Sequence, residues 1–220
     1  MIAENRDMQE RVADKIKTTF VEWEQHLMND KAPSMYFRAL LDEDMFPREY
    51  PFSMVSDLKQ VQQQPDHHPE GDVLEHTLQV VDLAASLKHE SQDPRALMWA
   101  ALLHDLGKKT TTKMRNGRIT AYDHDKEGEK LARDFLRQCT DEEAFIRRVC
   151  SLVRWHMQVM FVAHKLPFAD IRGMLRSVQP HEISLLAYCD RLGRGKLPPR
   201  TIEKEKRNIE TFLARCAAEA

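Results

Sequence analysis

Apolar residues in the first thirty positions recur at helical spacing, with Val12, Ile16, Phe20, Trp23 and Leu27 on one stripe before Lys31-Ala32-Pro33 breaks the run. The stripe predicts a docking helix. Residues 35–44 read as a second short helix ended by Pro47, and 53–62 as a third, capped by Ser53 and turning Met54, Leu58 and Val61 inward. Residues 62–71 read as a loop. Over 72–89 the apolar positions Val73, Val80, Ala84 and Leu87 share a face. Asp93-Pro94 then opens the next helix with a capping residue followed by proline at the first helical position. That helix runs through Met98 to Leu103, reaches His104-Asp105 and stops at Gly107, which holds the dyad at a helix C-terminus. Asn116-Gly117 between short flanks signals a type I′ hairpin near residues 112–121. Further helices are expected over 124–138, 141–157, 167–178 and 180–193. The last, over 201–218, packs Ile202, Ile209, Phe212, Leu213 and Cys216 on one side.

Seven glycines in 220 residues, against abundant Leu, Ala, Met, Glu, Lys and Arg, make an all-α fold the simplest expectation. The length suits one domain with terminal extensions: a helical extension over 1–45, a core over 46–195, and a linker and helix over 196–220. A formal charge of −2 gives no global case for DNA or a membrane as partner. Cys139, Cys150, Cys189 and Cys216 are widely spaced, with no C-x-x-C pair, and read as reduced core residues. The polar first residues lack an apolar signal core, and no stretch of about eighteen apolar residues occurs, so a cytoplasmic setting is expected.

Against this background six ligand-type side chains stand out. His76 falls on the apolar face of its helix. Asp190 follows Ile183, Leu186 and Ala187 by seven, four and three residues on one stripe. A buried carboxylate needs a cation or a set of donors. A single inward histidine is usually a core residue bonded to a carbonyl, and His104-Asp105 alone could be a helix end. Three helices each presenting such a group would require three coincidences. His124, at the start of a helix, and His156, three residues after Val153, extend the set to four imidazoles and two carboxylates. Mixed nitrogen and oxygen ligation suits iron, manganese, cobalt, nickel or zinc, with magnesium a further candidate. The number of ligands allows two divalent ions with Asp105 between them.

The segments His68-Pro69-Glu70-Gly71-Asp72-Val73 with His76-Thr77-Leu78, Ala101-Leu102-Leu103-His104-Asp105-Leu106-Gly107-Lys108, His124 with Gly128, His156, and Asp190 with Gly193-Arg194 resemble the HD-domain metal-dependent phosphohydrolase superfamily. The resemblance is closest to the HD domain appended to bacterial CCA-adding tRNA nucleotidyltransferases. It covers about residues 46–195 and implies an HD helical bundle in which His76, His104, Asp105 and Asp190 are the core metal ligands. In two-metal members, the positions matching His124 and His156 hold the second ion. The residues before 46 leave no room for a nucleotidyltransferase head, whose paired-aspartate motif does not occur, so CCA addition is not expected of this chain.

Divalent ions that activate water and polarise a phosphoryl oxygen make phosphoester hydrolysis the expected reaction, with Asp105 and Lys108 as catalytic residues. Lys108, Lys109, Lys113, Arg115 and Arg118 precede the next acid, Asp123. Of these, Lys108, Lys109 and Arg118, together with Arg194, are the expected phosphate contacts. Asp125 and Glu127 are candidate proton donors but read more simply as helix N-terminal acids, so the general acid stays unassigned. Glu70 is a candidate pocket residue, Asp72 a helix cap, and His67 and His68 loop residues. His26, His89, His164 and His181 join no constellation. The resemblance implies a nucleotide or RNA-terminal substrate, through 2′,3′-cyclic phosphodiesterase or 2′-nucleotidase chemistry. Nucleotide 5′-phosphatase, alarmone hydrolase and a non-catalytic metal-stabilised binding module are the alternatives.

Overall fold

The computed structural model describes residues 2–65, 68–195 and 197–219. Helix α1 (Ile2–Asn29) docks through its C-terminal half: Phe20, Trp23 and Leu27 are buried, Ile16 is half-buried and Val12 is 50% exposed. The expected five-residue stripe is therefore cut short. Periodicity marks an apolar face, but the turns before Ile16 have little to pack against among the described residues. Trp23 meets Phe37, Phe46 and Phe52 edge-on, and Phe20 stacks on Trp99 at 4.5 Å. Helix α2 (Ser34–Asp42) is tied to the core by Ser34, whose N–H and hydroxyl both donate to the Asp82 carboxylate at 2.9 and 2.6 Å. Helix α3 (Ser53–Ser56) runs into a 3-10 turn over Asp57–Gln60. Ser53 does not cap it, because Phe52 already has helical backbone angles and takes the cap position with no side-chain bond. Leu58 and Val61 are buried as expected.

Helix α4 (Val73–Leu87) starts where the Asp72 carboxylate accepts the Glu75 N–H at 2.9 Å. Helix α5 (Pro94–Leu103) starts where Asp93 accepts the Ala96 N–H at 3.0 Å, with Pro94 in the first turn. Every residue from Ala96 to Leu103 is buried, so α5 is the axial helix of the bundle and is apolar all round. A short α6 (Lys108–Thr111) leads to β1 (Lys113–Arg115) and β2 (Arg118–Thr120), an antiparallel pair with Lys113 opposite Thr120. Asn116 and Gly117 between them have φ of 50° and 73°, the left-handed pair a type I′ turn requires.

Helices α7 (His124–Cys139) and α8 (Glu143–Trp155) pack on each other, and α8 also covers α5. The region beyond differs from expectation. Helix α8 ends at Trp155 and a separate α9 (Gln158–Ala163) follows. The helix expected over 167–178 shrinks to α10 (Ile171–Leu175), because Asp170 caps it by accepting the Gly173 N–H at 2.8 Å. Helix α11 (Pro180–Leu192) packs on α4 and α5, and α12 (Pro199–Glu219) closes the bundle against α9 and α11. On α12, Phe212 and Cys216 are buried but Leu213 is 36% exposed. The inward position is taken instead by Glu205, which accepts from Arg191 at 3.1 Å. All four cysteines are free and buried. Among the described residues no helix is long and apolar enough to cross a membrane.

Candidate metal centre

The ends of α5, α7, α8 and α11 converge on the first turn of α4. His76 and Asp190 lie within α4 and α11, His104 caps α5, His124 opens α7, and His156 follows the last residue of α8. With Asp105, these make up the six expected ligands, and all six are buried. They fall into two groups whose potential ligand atoms lie within 4.8 Å of one another: His76, His104 and Asp190 in one, and Asp105, His124 and His156 in the other. The two oxygens of Asp105 face opposite groups. Oδ2 is 3.2 Å from His104 Nε2 and 3.7 Å from His76 Nε2, while Oδ1 is 3.6 Å from His124 Nε2.

Local backbone structure orients the imidazoles. Nδ1 of His104, His124 and His156 lies 2.9, 2.7 and 2.6 Å from the carbonyl oxygens of Ala101, Ala121 and Val153, each three residues earlier. A carbonyl only accepts, so each Nδ1 carries the proton and the neutral ring turns its Nε2 lone pair inward. Such outer hydrogen bonds accompany metal-ligating histidines. His76 Nδ1 contacts Glu70 Oε1 at 2.9 Å, off ordinary hydrogen-bond geometry, and its Nε2 is 3.0 Å from Asp190 Oδ1.

The turn that carries the dyad is pressed against the start of α7. A Cβ on Gly107 would stand 2.1 Å from the backbone oxygen of His124 and 2.6 Å from the nitrogen of Gly128, so only glycine fits. Asp123, at φ 60°, turns the chain left-handed immediately before His124. The second group is thus set by a backbone-to-backbone approach.

Two features test whether a cation fits. His124 Nε2 and His156 Nε2 lie 3.2 Å apart, and with both Nδ1 atoms protonated they are two lone pairs facing each other. His104 Nε2 is buried with no hydrogen-bond partner among the described residues, and with its Nδ1 protonated it is an acceptor turned toward the Asp105 carboxylate at 3.2 Å. Unpaired buried acceptors are costly, and a divalent cation satisfies all of them together. The donor set fits a metal.

Charges around the centre are balanced. Lys108 Nζ is 2.8 Å from Asp105 Oδ2 and donates to Gln63 Oε1 at 2.7 Å, while Arg194 donates to Asp190 Oδ1 at 3.1 Å and to the Asp190 carbonyl at 3.2 Å. Burial favours the neutral acid at Asp105 and Asp190. His104 and Lys108 around the first, and Arg194 and His76 around the second, nevertheless hold both well below the usual carboxylate range. Burial opposes charge on His104, but the Asp105 carboxylate outweighs it and raises that pKa. Burial lowers His124, and burial with the neighbouring His124 and His104 takes His156 down to about 4.

A cavity of about 300 Å³ opens onto the centre, lined by His68, Asp105, Lys108, His124, His156, Asp190 and Arg194 among others. His68 is a loop residue, as expected, but it also joins the site: its Nδ1 lies 2.8 Å from Glu70 Oε1 and its ring meets His76 edge-on at 5.0 Å. His67 lies outside the described residues. Burial lowers His68 to about 4. At Glu70 burial acts the other way, but contacts from His68 and His76 bring it to about 2. A loop shows no periodicity, so the only sequence signal for this pair was its place in the His68-Pro69-Glu70 segment.

The structure does not bring two of the expected phosphate contacts to this cavity. Lys109 Nζ is 3.8 Å from Asp57, and Arg118 lies on the exposed hairpin. Asp125 is ion-paired with Arg154 at 2.6 Å and Glu127 with Lys130 at 3.0 Å, so neither candidate proton donor is free.

The HD domain family profile matches residues 73–195. The chain belongs to the HD domain family. The stretch matched by the HD domain runs from the first residue of α4 to just beyond α11 and contains all six ligand-type residues. The chain is also similar to proteins named Multifunctional CCA protein. That of Methylococcus capsulatus is 31% identical over 195 residues, covering 87% of this chain and 38% of the relative. That of Nitrosospira multiformis is 29% identical over 198 residues, covering 87% and 46%. That of Actinobacillus pleuropneumoniae serotype 5b is 37% identical over 117 residues, covering 51% and 27%. This chain thus spans less than half the length of these relatives.

Proposed function

We propose that this HD domain is a metal-dependent phosphohydrolase that cleaves a 2′,3′-cyclic or 2′-phosphoester at a nucleotide or RNA terminus. The observation that carries the reading is the convergence of buried, outwardly fixed Nε2 lone pairs on the two oxygens of Asp105, beside a cavity edged by Lys108 and Arg194. His76, His104 and Asp190 would hold one divalent ion, His124 and His156 a second, and Asp105 would contribute to both. When bound, such ions supply Lewis acidity toward a phosphoryl oxygen and a hydrolytic water of lowered pKa.

The residues of the chain do the rest. Asp105 and Asp190 present negative charge inward, and the carbonyls of Ala101, Ala121 and Val153 keep the imidazoles from rotating. Lys108 and Arg194 place a compact ammonium and a planar guanidinium at the cavity, suited to phosphate oxygens. The relatives carry CCA in their name, which favours an RNA end over a free nucleotide.

The test is phosphate release by the full chain, loaded in turn with manganese, cobalt, nickel, zinc, iron and magnesium. The substrates are nucleoside 2′,3′-cyclic, 2′-, 3′- and 5′-phosphates and a guanosine alarmone. Turnover of the cyclic and 2′-phosphates is expected. Preferential turnover of 5′-phosphates or of the alarmone would replace the substrate assignment. Bound metal with no turnover of any of them would make the chain a metal-stabilised binding module.

A further inference from the structure

A second, larger hollow adjoins the metal cavity, and none of the metal chemistry accounts for it. Its volume is about 920 Å³, and it shares Thr120, Ala121, His124, Met157 and Met160 with the metal cavity, so the two lie side by side. Away from the centre its walls carry Tyr122 and Phe168, each 55% exposed, and Phe161, whose ring lies 5.5 Å from that of Phe168. The Arg115 guanidinium sits 5.0 Å from the Tyr122 ring centroid, so one face of the ring is paired with a cation from the hairpin, and the residue is still 55% exposed. The other charges in the groove are largely occupied: Asp123 pairs with Lys126 at 2.7 Å, Asp125 with Arg154 at 2.6 Å, and Asp170 caps α10.

Exposed aromatic rings backed by arginine, leading away from a site that handles a phosphoester, are the surface on which bases of a single strand stack. Resting on the phosphohydrolase reading, we propose that this groove is a base-stacking subsite for the nucleotides preceding the scissile terminal phosphate. The substrate it selects is then a single-stranded RNA end. Tyr122 and Phe168 offer the two stacking faces, and Arg115 supplies the cation beside the first. Tyr122 is two residues from His124, so a base resting on its ring lies beside the metal cavity.

The test reads binding, so that it succeeds or fails independently of turnover. A fluorescein-labelled hexauridylate with a free 3′ hydroxyl is titrated by anisotropy against the full chain and against Tyr122→Ala and Phe168→Ala. Both side chains are exposed, so circular dichroism and thermal midpoint are expected to match the parent chain. Each variant is expected to weaken binding by about five- to a hundred-fold, the range for loss of a base-stacking aromatic. Inorganic polyphosphate of similar charge, which has no bases, is expected to displace the RNA poorly. Parent-like affinity in both variants, mole-for-mole displacement by polyphosphate, or no binding by the parent chain would overturn the subsite. A bound hexauridylate alongside an inactive centre would instead remove the hydrolase reading and leave the groove standing.

Discussion

His76 and Asp190 lie within α4 and α11, helices whose apolar faces form the bundle core, whereas His104, His124 and His156 sit just past the end of α5, at the very start of α7 and just past the end of α8. The two residues within helices are compensated: His76 meets Asp190, and Arg194 meets the same carboxylate. At the other end of the centre, beside Asp105, are two lowered imidazoles, His124 and His156, whose inward nitrogens oppose each other across 3.2 Å. The difference teaches that His76 and Asp190 can persist as a buried polar pair, while the facing lone pairs of His124 and His156 are the contact a cation would relieve.

The harshest way to break this comparison is to remove the carboxylate the two groups share. Asp105→Ala is expected to strip both ions and to lower phosphate release by at least roughly a thousand-fold, measured by elemental analysis and a phosphate assay. His156→Ala separates the groups: one equivalent of metal should be lost and one retained, and two retained equivalents would refute the two-ion arrangement. Lys108→Ala should keep both ions and lower the rate by about ten- to a hundred-fold, the scale of removing one stabilising charge from a reacting centre. Glu70→Gln keeps the shape of the His76 and His68 support but removes its charge. Metal affinity at the first group should fall by about ten-fold or more, read by chelator competition.

The smallest effect is expected from acid. His156 and His68 are lowered to about 4, so between the ordinary histidine value near 6.5 and 4 the unfolded chain binds more protons than the folded one. Stability of the metal-free chain should therefore be fully present above about 6.5 and decline as the pH falls toward 4, as followed by thermal midpoint. The raised His104 opposes this, since it favours the folded state at low pH. A midpoint unchanged from pH 7 to 4.5 would show that the His104 contribution cancels the other two.

The same contrast explains what could be read from the amino-acid order. His76 and Asp190 lie on strong apolar stripes, so their inward direction followed from periodicity, and the caps at Asp72 and Asp93 and the Asn116-Gly117 turn each had a local mechanism. His124 and His156 lie at helix ends, where periodicity fades, and their pairing depends on the packing of α7 on α8. Glu70 and His68 sit in a loop whose burial has no periodic trace. Gly173, which donates to Asp170, redefined a helix start that Pro167 had suggested. Lys109 looked like a phosphate contact by proximity to the dyad, yet one turn of α6 points it to Asp57.

The contact between Gly107 and the backbone of His124 carries a consequence for how such a centre can be lost or rebuilt. Ligand identities can be exchanged one at a time with graded outcomes, since each side chain is a separate arm reaching inward. A single methyl group at position 107 would instead pry two main-chain segments apart and displace several arms at once. The residue least tolerant of change in this metal-binding apparatus is thus one that contributes no donor atom, and a search for inert versions of the fold should inspect that glycine before the histidines.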